Sequence, residues 1–252
     1  MKKGRLYMTA IKGGYTNYGQ DIGILMMRTV FPRLVGDIGN ARTFSMPVRY
    51  QIVDVDPLNM TAKNADARLL TPFIEAARQL EAEGCKAIAT SCGFLAGFQR
   101  QLADAVNIPV FTSPLVLVPM IHTALGSKCS IGILSEYAQG MNEQYFNQAG
   151  WSSRDIPVHV SGLEADSAFS QLIICDNPEG NWEQMAACIR EMTEKHMEQY
   201  PDTGALILEC ANYAPFTHMI QQIAQVPVFG MNQLLEYISA CVNAPIYQNP
   251  IY

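Results

Sequence analysis

The chain is built twice. Residues 84–111 read GCKAIATSCGFLAGFQRQLADAVNIPVF and residues 202–229 read DTGALILECANYAPFTHMIQQIAQVPVF, and the two align without a gap once Cys92 is set on Cys210. Pro109 and Pro227 each lie 17 residues past their cysteine. Ala96, Phe98, Leu102, Ile108, Val110 and Phe111 then face Ala214, Phe216, Ile220, Val226, Val228 and Phe229. Upstream, Asp21–Met26 (DIGILM) matches Ser130–Ser135 (SIGILS), 69 and 78 residues from Gly23 and Gly132 to the respective cysteine. A period this long is a domain duplication, not a solenoid repeat.

Each half alternates short β-branched runs with amphipathic stretches. Gly23–Met27, Ile52–Val55, Ala87–Thr90, Val110–Phe111, Ser130–Leu134, Val158–Val160, Ala205–Leu208 and Val226–Phe229 read as strands. Ala65–Glu83, Leu95–Val106, Tyr137–Ala149, Asn181–Tyr200 and Ala214–Ala224 read as helices. Nearly continuous apolar strands between helices predict parallel sheets covered on both faces. The turns Ser113–Leu115 and Gly230–Asn232 mark where one repeat passes to the other, each followed by one more helix, Leu115–Leu125 and Gln233–Val242. The first of these leads into the second half; the last is expected to return to the first. The expected architecture is therefore α/β, two repeated halves each built on a parallel sheet. The expected boundaries are residues 21–114 plus 230–252, residues 115–229, and a peripheral lead-in over residues 1–20.

Composition narrows the function. With 49 % hydrophobic and 16 % charged residues the chain can build a sizeable core. A net charge of −6 argues against nucleic acid as a main partner. Seven scattered cysteines without a C-x-x-C pair fit a reduced, cytoplasmic protein, and neither a disulfide framework nor a zinc site. The N-terminal MKKGRLYMTAIKGGY lacks the apolar run of a signal peptide. The longest apolar stretch, Ile108–Ile121, holds three prolines and is too short and broken to span a bilayer.

Cys92 and Cys210 each fall at the carboxyl end of a strand and before a helix, the edge where open α/β sheets bind ligands. Free N–H groups and the helix dipole there favour an anion, which predicts a lowered thiol pKa and a seat for a carboxylate. Two such thiols on opposite faces of one carbon can remove a proton from one side and return one on the other. A lone buried cysteine is usually a small core residue, and that reading stands for Cys85, Cys129, Cys175, Cys188 and Cys241. Ser91 and Glu209 precede the thiols, and strand alternation points their side chains away from them. A carboxylate beside Cys210, if close, would instead raise its pKa. Four of the ten arginines, Arg28, Arg33, Arg42 and Arg49, crowd into 22 residues. Arg33 and Arg42 flank Gly36–Asn40 and are the candidates for holding a second substrate carboxylate; Gly36–Asn40 itself is either a plain turn or a mobile flap. Ser135, Glu136 and Tyr137 end the first strand of the second half and face the same edge. The four histidines do not cluster, and no metal site is expected.

Thr90-Ser91-Cys92-Gly93-Phe94-Leu95 and Leu208-Glu209-Cys210-Ala211-Asn212 resemble the two cysteine motifs of the aspartate/glutamate racemase superfamily. That superfamily includes glutamate, aspartate and hydantoin racemases, maleate isomerase and arylmalonate decarboxylase. Gly23-Ile24-Leu25-Met26, Phe31-Pro32-Arg33 and Gly36-Asp37-Ile38-Gly39-Asn40 are similar to the N-terminal signature of a less characterised branch. The resemblance spans roughly residues 21–245. It implies two pseudo-symmetric Rossmann-like domains with the active site in the cleft between them, and proton transfer without a cofactor, with Cys92 and Cys210 as the two bases. It further implies a substrate site drawn from Thr90, Ser91, Gly93, Phe94, Ala211, Asn212, Arg33, Asn40, Arg42 and Ser135. Members that keep one cysteine are decarboxylases, so two favour isomerisation. Two departures stand out. Ala211-Asn212 replaces the Thr-His pair of glutamate racemases, and Gly93-Phe94 replaces an Asn-Thr, so the hydrogen bonds to substrate differ. The expected function is racemisation or epimerisation of an amino acid or related small carboxylate. A hydantoin racemase, a maleate-type isomerase or a non-catalytic small-molecule binder are the alternatives. Neither nucleic acid nor membrane is an expected partner, and a homodimer is left open.

Overall fold

A computed structural model describes residues 12–55 and 67–245. The first part of the lead-in, the start of the helix expected from Ala65 and the tail of the 230–252 segment lie outside the described residues.

The duplication is written into the strands. In the first sheet β1 (Ile22–Met27), β2 (Val48–Val53), β3 (Ala87–Thr90) and β4 (Val110–Phe111) lie in the order β2-β1-β3-β4. In the second, β5 (Ser130–Ser135), β6 (Val158–Gly162), β7 (Thr203–Leu208) and β8 (Val228–Phe229) repeat it as β6-β5-β7-β8. All pairings are parallel. Ile88 pairs with Val110 and Ala89 with Phe111; Leu206 pairs with Val228 and Ile207 with Phe229, the same register in both copies.

Strand alternation sorts the core into three parts. Ile22, Ile24 and Met26 of β1 join Ile131 and Ile133 of β5 and Ala205 and Ile207 of β7 in one central core between the sheets. Leu25 faces the opposite side, where Phe73, Ala77 and Leu80 of α1 (Ala67–Ala82) cover the first sheet. Leu134, Leu206 and Leu208 face Met185, Ile189 and Met192 of α6 (Trp182–Gln199) on the second. Both faces of β1, β3, β5 and β7 are buried, and this is why these strands read as unbroken apolar runs.

The duplicated Ile-Gly-Ile-Leu has a packing cause. A Cβ on Gly23 would stand 2.8 Å from Leu80 of α1, and one on Gly132 would strike His196 of α6 and stand 2.5 Å from Leu206. Each glycine therefore lets the covering helix approach the central strand. α3 (Val118–Leu125) follows β4 and packs on β5 and β7 of the other sheet, while α8 (Met231–Val242) follows β8 and packs on β3. Each half thus lends a helix to the other, and the central core is continuous across both. Among the described residues no helix is long and apolar enough to cross a membrane.

Several elements differ from expectation. β2 begins at Val48 rather than Ile52. It is an edge strand, and its polar Arg49 and Gln51 interrupt the apolar run; Arg49 pairs with Glu83 and donates to Gln20 at 2.9 Å. The cysteines are followed by 3-10 turns, Gly93–Phe98 and Ala211–Phe216, before α2 (Gln99–Asp104) and α7 (Thr217–Ala224). The helix expected over Tyr137–Ala149 contracts to α4 (Glu143–Gln148), capped by Asn142. α5 (Ala168–Ile174), capped by Ser167, was not anticipated, because seven residues are too few to show a helical period.

Candidate active site

The cysteines occupy matched positions. β3 ends at Thr90 and β7 at Leu208, so both thiols lie just past the carboxyl edge of a central strand. The Thr90 hydroxyl is placed to donate to the Thr112 carbonyl at 2.6 Å and lies 3.1 Å from the Cys92 carbonyl, which ties the first turn to the sheet. Cys92 and Cys210 are both extended and cap their 3-10 turns without side-chain hydrogen bonds of their own. The Phe94 and Leu95 amides favour a negative charge on the Cys92 sulfur, and the Asn212 amide favours one on Cys210.

One cleft takes in both. It holds about 640 Å³ of atom-free space, open mouth included, and its wall contains Ser91, Cys92, Gly93 and Phe94 from the first half. From the second half come Glu136, Glu209, Cys210, Ala211 and Asn212. Met27, Thr29, Phe31, Arg33, Ile173 and Ile174 complete it. The sulfurs are near enough that a negative charge on Cys92 pushes the Cys210 thiol up.

The electrostatics reverse the sequence expectation of lowered thiol pKa values. Burial first, then Glu209, pushes Cys92 up to about 12, against the smaller pull of the Phe94 and Leu95 amides. Burial, Glu136 and Glu209 hold Cys210 well above its ordinary value. Burial also lifts Glu136 to about 7 and Glu209 to about 8. A short 3-10 turn supplies two or three N–H dipoles, and these are outweighed by desolvation and two buried carboxyls.

Ser91 and Glu209 both line the cleft, contrary to the alternation argument. Each is one residue past the end of its strand, where the two-residue period no longer applies. Ser91 accepts the Met27 N–H at 3.3 Å. Glu209, only 1 % exposed, extends across to the first half: a Cβ on Gly93 would collide with its carboxylate and its carbonyl oxygen. No donor reaches either Glu209 oxygen with hydrogen-bond geometry, although Ser135 lies near enough to soften its shift. Glu136 lies at the cleft edge as expected, though it was not among the expected substrate-binding residues, and Glu209 was expected to point away; a carboxylate next to the second cysteine was the available signal.

The remaining expected residues divide. Gly93, Phe94, Ala211, Asn212 and Arg33 lie on the cleft wall. Thr90 and Ser135 are buried behind it, Thr90 in its carbonyl bonds and Ser135 under Glu209 and Tyr213, whose hydroxyl donates to the Ser135 carbonyl at 3.2 Å. Asn40 and Arg42 are not on the wall: the Asn40 side chain donates to the Arg33 carbonyl at 2.9 Å and accepts the Arg42 N–H at 3.0 Å, and Arg42 is exposed. Arg33 is already engaged. It donates to Asp37 at 3.1 Å, to Asn212 at 2.9 Å and to Thr29 at 2.8 Å, and its guanidinium lies 4.0 Å from the Phe31 ring centre. Gly36–Asn40 is a strap rather than a loose flap. Gly36, at φ 105°, packs where a Cβ would stand 2.7 Å from Pro215, and its carbonyl accepts from Asn232 at 2.7 Å. Asp176 of the second half accepts the Val30 and Phe31 N–H groups at 2.7 and 3.0 Å.

A family profile described as Asp/Glu/Hydantoin racemase matches residues 52–235. The chain belongs to the Asp/Glu/Hydantoin racemase family. Among curated proteins, a dimethylsulfoniopropionate lyase of Durusdinium sp. clade D is 24 % identical over 224 residues, covering 82 % of this chain and 70 % of that protein. Glutamate racemase from Francisella tularensis, solved with D-glutamate, shares the fold at a TM-score of 0.53 and 14 % identity, covering 93 % of this chain and 86 % of that one. Unliganded arylmalonate decarboxylase does so at 0.55 and 12 %, covering 92 % and 97 %. This racemase-family fold is thus two four-stranded parallel α/β domains, and the cleft described above lies where their cysteine loops meet.

Proposed function

We propose that this family member is a racemase or epimerase that inverts the α-carbon of a small zwitterionic carboxylate without a cofactor, with Cys92 and Cys210 as the two proton carriers. The observation that carries the reading is the meeting of two duplicated thiols in one cleft of single-substrate size. One thiol takes the α-proton while the other delivers a proton to the opposite face. Ser91 and Thr29 each accept a hydrogen bond from the protein, which leaves their own O–H to give to a substrate carboxylate. Asn212, whose Oδ1 is taken by Arg33, has its NH₂ left for the same task. With Arg33 bound to Asp37, the cleft holds no guanidinium in reserve for a second carboxylate, so a monocarboxylate suits it better than glutamate or aspartate.

A second reading is β-elimination, favoured by the dimethylsulfoniopropionate lyase relative. Its first step is the same α-proton removal. A substrate with a cationic leaving group on the β-carbon would then break its C–S bond as the C=C bond forms. The apolar wall of Met27, Phe31, Phe94, Ile173 and Ile174, with two carboxyls, suits such a cation. Proton NMR in heavy water separates the two. Loss of the Cα–H signal from an amino acid supports racemisation; vinyl signals from dimethylsulfoniopropionate support elimination. Neither change across a panel of small zwitterions would leave a binder.

A further inference from the structure

Among the described residues, Glu209 is a buried carboxyl that no pairing explains. It is 1 % exposed, and neither carboxyl oxygen has a hydrogen-bond partner. A carboxyl kept only for structure would be paired, because an unpartnered buried polar group is destabilising. It also adjoins both thiols: it precedes Cys210 in the chain, its carboxyl rests on Gly93, next to Cys92, and its charge acts on each sulfur. The titratable and charged groups facing it are Cys92 after β3, Glu136 after β5, Tyr145 of α4, and Cys210 and Tyr213 after β7. Arg33, the cation on the cleft wall, is spent on Asp37, Asn212 and Thr29.

Resting on the proton-transfer reading above, we propose that Glu209 is a positioning residue shared by both thiols, holding the proton of whichever sulfur acts as base and giving one back to the sulfur that has acted as acid. The protons balance. At rest both cysteines are thiols and Glu209 is a carboxylate. Glu209 takes the proton of the first thiol, and the resulting thiolate removes the α-proton, leaving a carbanion and restoring that thiol. The second thiol protonates the opposite face and becomes a thiolate, which recovers its proton from the Glu209 carboxyl. The protein ends as it began, whichever enantiomer entered, so no separate return step is required. The raised pKa values of both thiols agree with this resting state. The Phe94, Leu95 and Asn212 amides, which favour charge on the sulfurs, ease the uphill transfer.

The test is Glu209→Gln, which keeps the shape against Gly93, with Glu209→Asp as the conservative variant. Two quantities are read on the full chain. The first, without substrate, is the pH profile of Cys92 alkylation by iodoacetamide, followed by mass spectrometry of its peptide. The second is α-proton exchange in heavy water. In Glu209→Gln, Cys92 should alkylate at lower pH, because a repelling charge is gone, and yet exchange should fall on the order of 10²-fold. Wild-type exchange should rise with pH through about 8, and Glu209→Gln should lose that rise while Glu209→Asp keeps part of it. A carboxylate that merely repels the thiols predicts the opposite, since easier thiolate formation would leave exchange unchanged or faster. That outcome, or an unshifted alkylation profile, overturns the proposal. Absence of exchange in the wild type overturns the function reading; the alkylation profile, read without substrate, decides separately whether Glu209 and Cys92 are coupled, and exchange decides between relay and repulsion.

Discussion

Four acids share one buried space: two thiols and two carboxyls, all raised by desolvation, and all but Glu136 raised further by their neighbours' charge. The raised carboxyls tie stability to pH with a definite sign. A Glu whose folded pKa exceeds its unfolded value of 4.5 holds more protons in the folded state between the two values. Stability therefore falls as pH rises through that window. For Glu209 the window runs from 4.5 to about 8, and for Glu136 from 4.5 to about 7. Glu209→Gln should melt above the wild type at pH 8, with the gap closing toward pH 4.5. Thermal denaturation across pH measures it, and a gap independent of pH would contradict the account. His196 works in the other direction. It is 1 % exposed, lies 2.7 Å from the Ser161 hydroxyl, and is pushed down to about 4 by burial, so it favours folding as pH rises from 4 toward 6.5. The cysteine positions were legible in sequence because duplication marks them twice. Glu209 was misplaced because a period of two was carried one residue past the strand end. The thiol pKa values differ from expectation because dipole arguments count local N–H groups and leave out burial, the largest cause for both sulfurs, and the carboxyls that folding brings beside them.

Elements show the same division. The strands and their gathering into parallel sheets follow from Ile-Gly-Ile-Leu, the apolar runs and the paired Pro-Val-Phe ends, all of which are local patterns. β2 was displaced because an edge strand tolerates Arg49 and Gln51, and the 3-10 turns were read as helix because both share a local apolar spacing. The turn after Cys92 gives a direct test. Gly93→Ala places a methyl against the Glu209 carboxyl and its backbone carbonyl, and the backbone cannot yield as a side chain would. The expected loss is about 1–3 kcal/mol by denaturant titration, as for other overpacking changes, with cleft activity reduced as well. Unchanged stability and activity would mean that the two halves are not in contact there. Gly36→Ala should behave alike, since φ 105° and Pro215 both exclude a side chain. Arg33→Lys is expected to weaken the strap, because one ammonium cannot reach Asp37, Asn212 and Thr29 together. Its effect should fall equally on all substrates. Selective loss for diacids would return Arg33 to the role of recognising a second carboxylate.

At the scale of the whole molecule, duplication makes two halves of one plan, exchanged helices fuse their cores, and the strap and Asp176 hold the cleft they enclose. The pairing of the halves was legible from the repeat alone; the strap was not, because its contacts join residues about 180 positions apart, as with Arg33 and Asn212. The central claim is that one substrate sits between two thiols, one for each face of its carbon. The measurement that tests it most directly is α-proton exchange in heavy water with single enantiomers and the variants Cys92→Ser and Cys210→Ser. Serine keeps the shape but is far too weak an acid to supply a base near neutrality. Net racemisation should fall on the order of 10³-fold in each variant. Each should still exchange the α-proton of one enantiomer, and the two variants should choose opposite hands. Racemisation at the wild-type rate in either variant, or exchange of the same hand by both, would contradict the account.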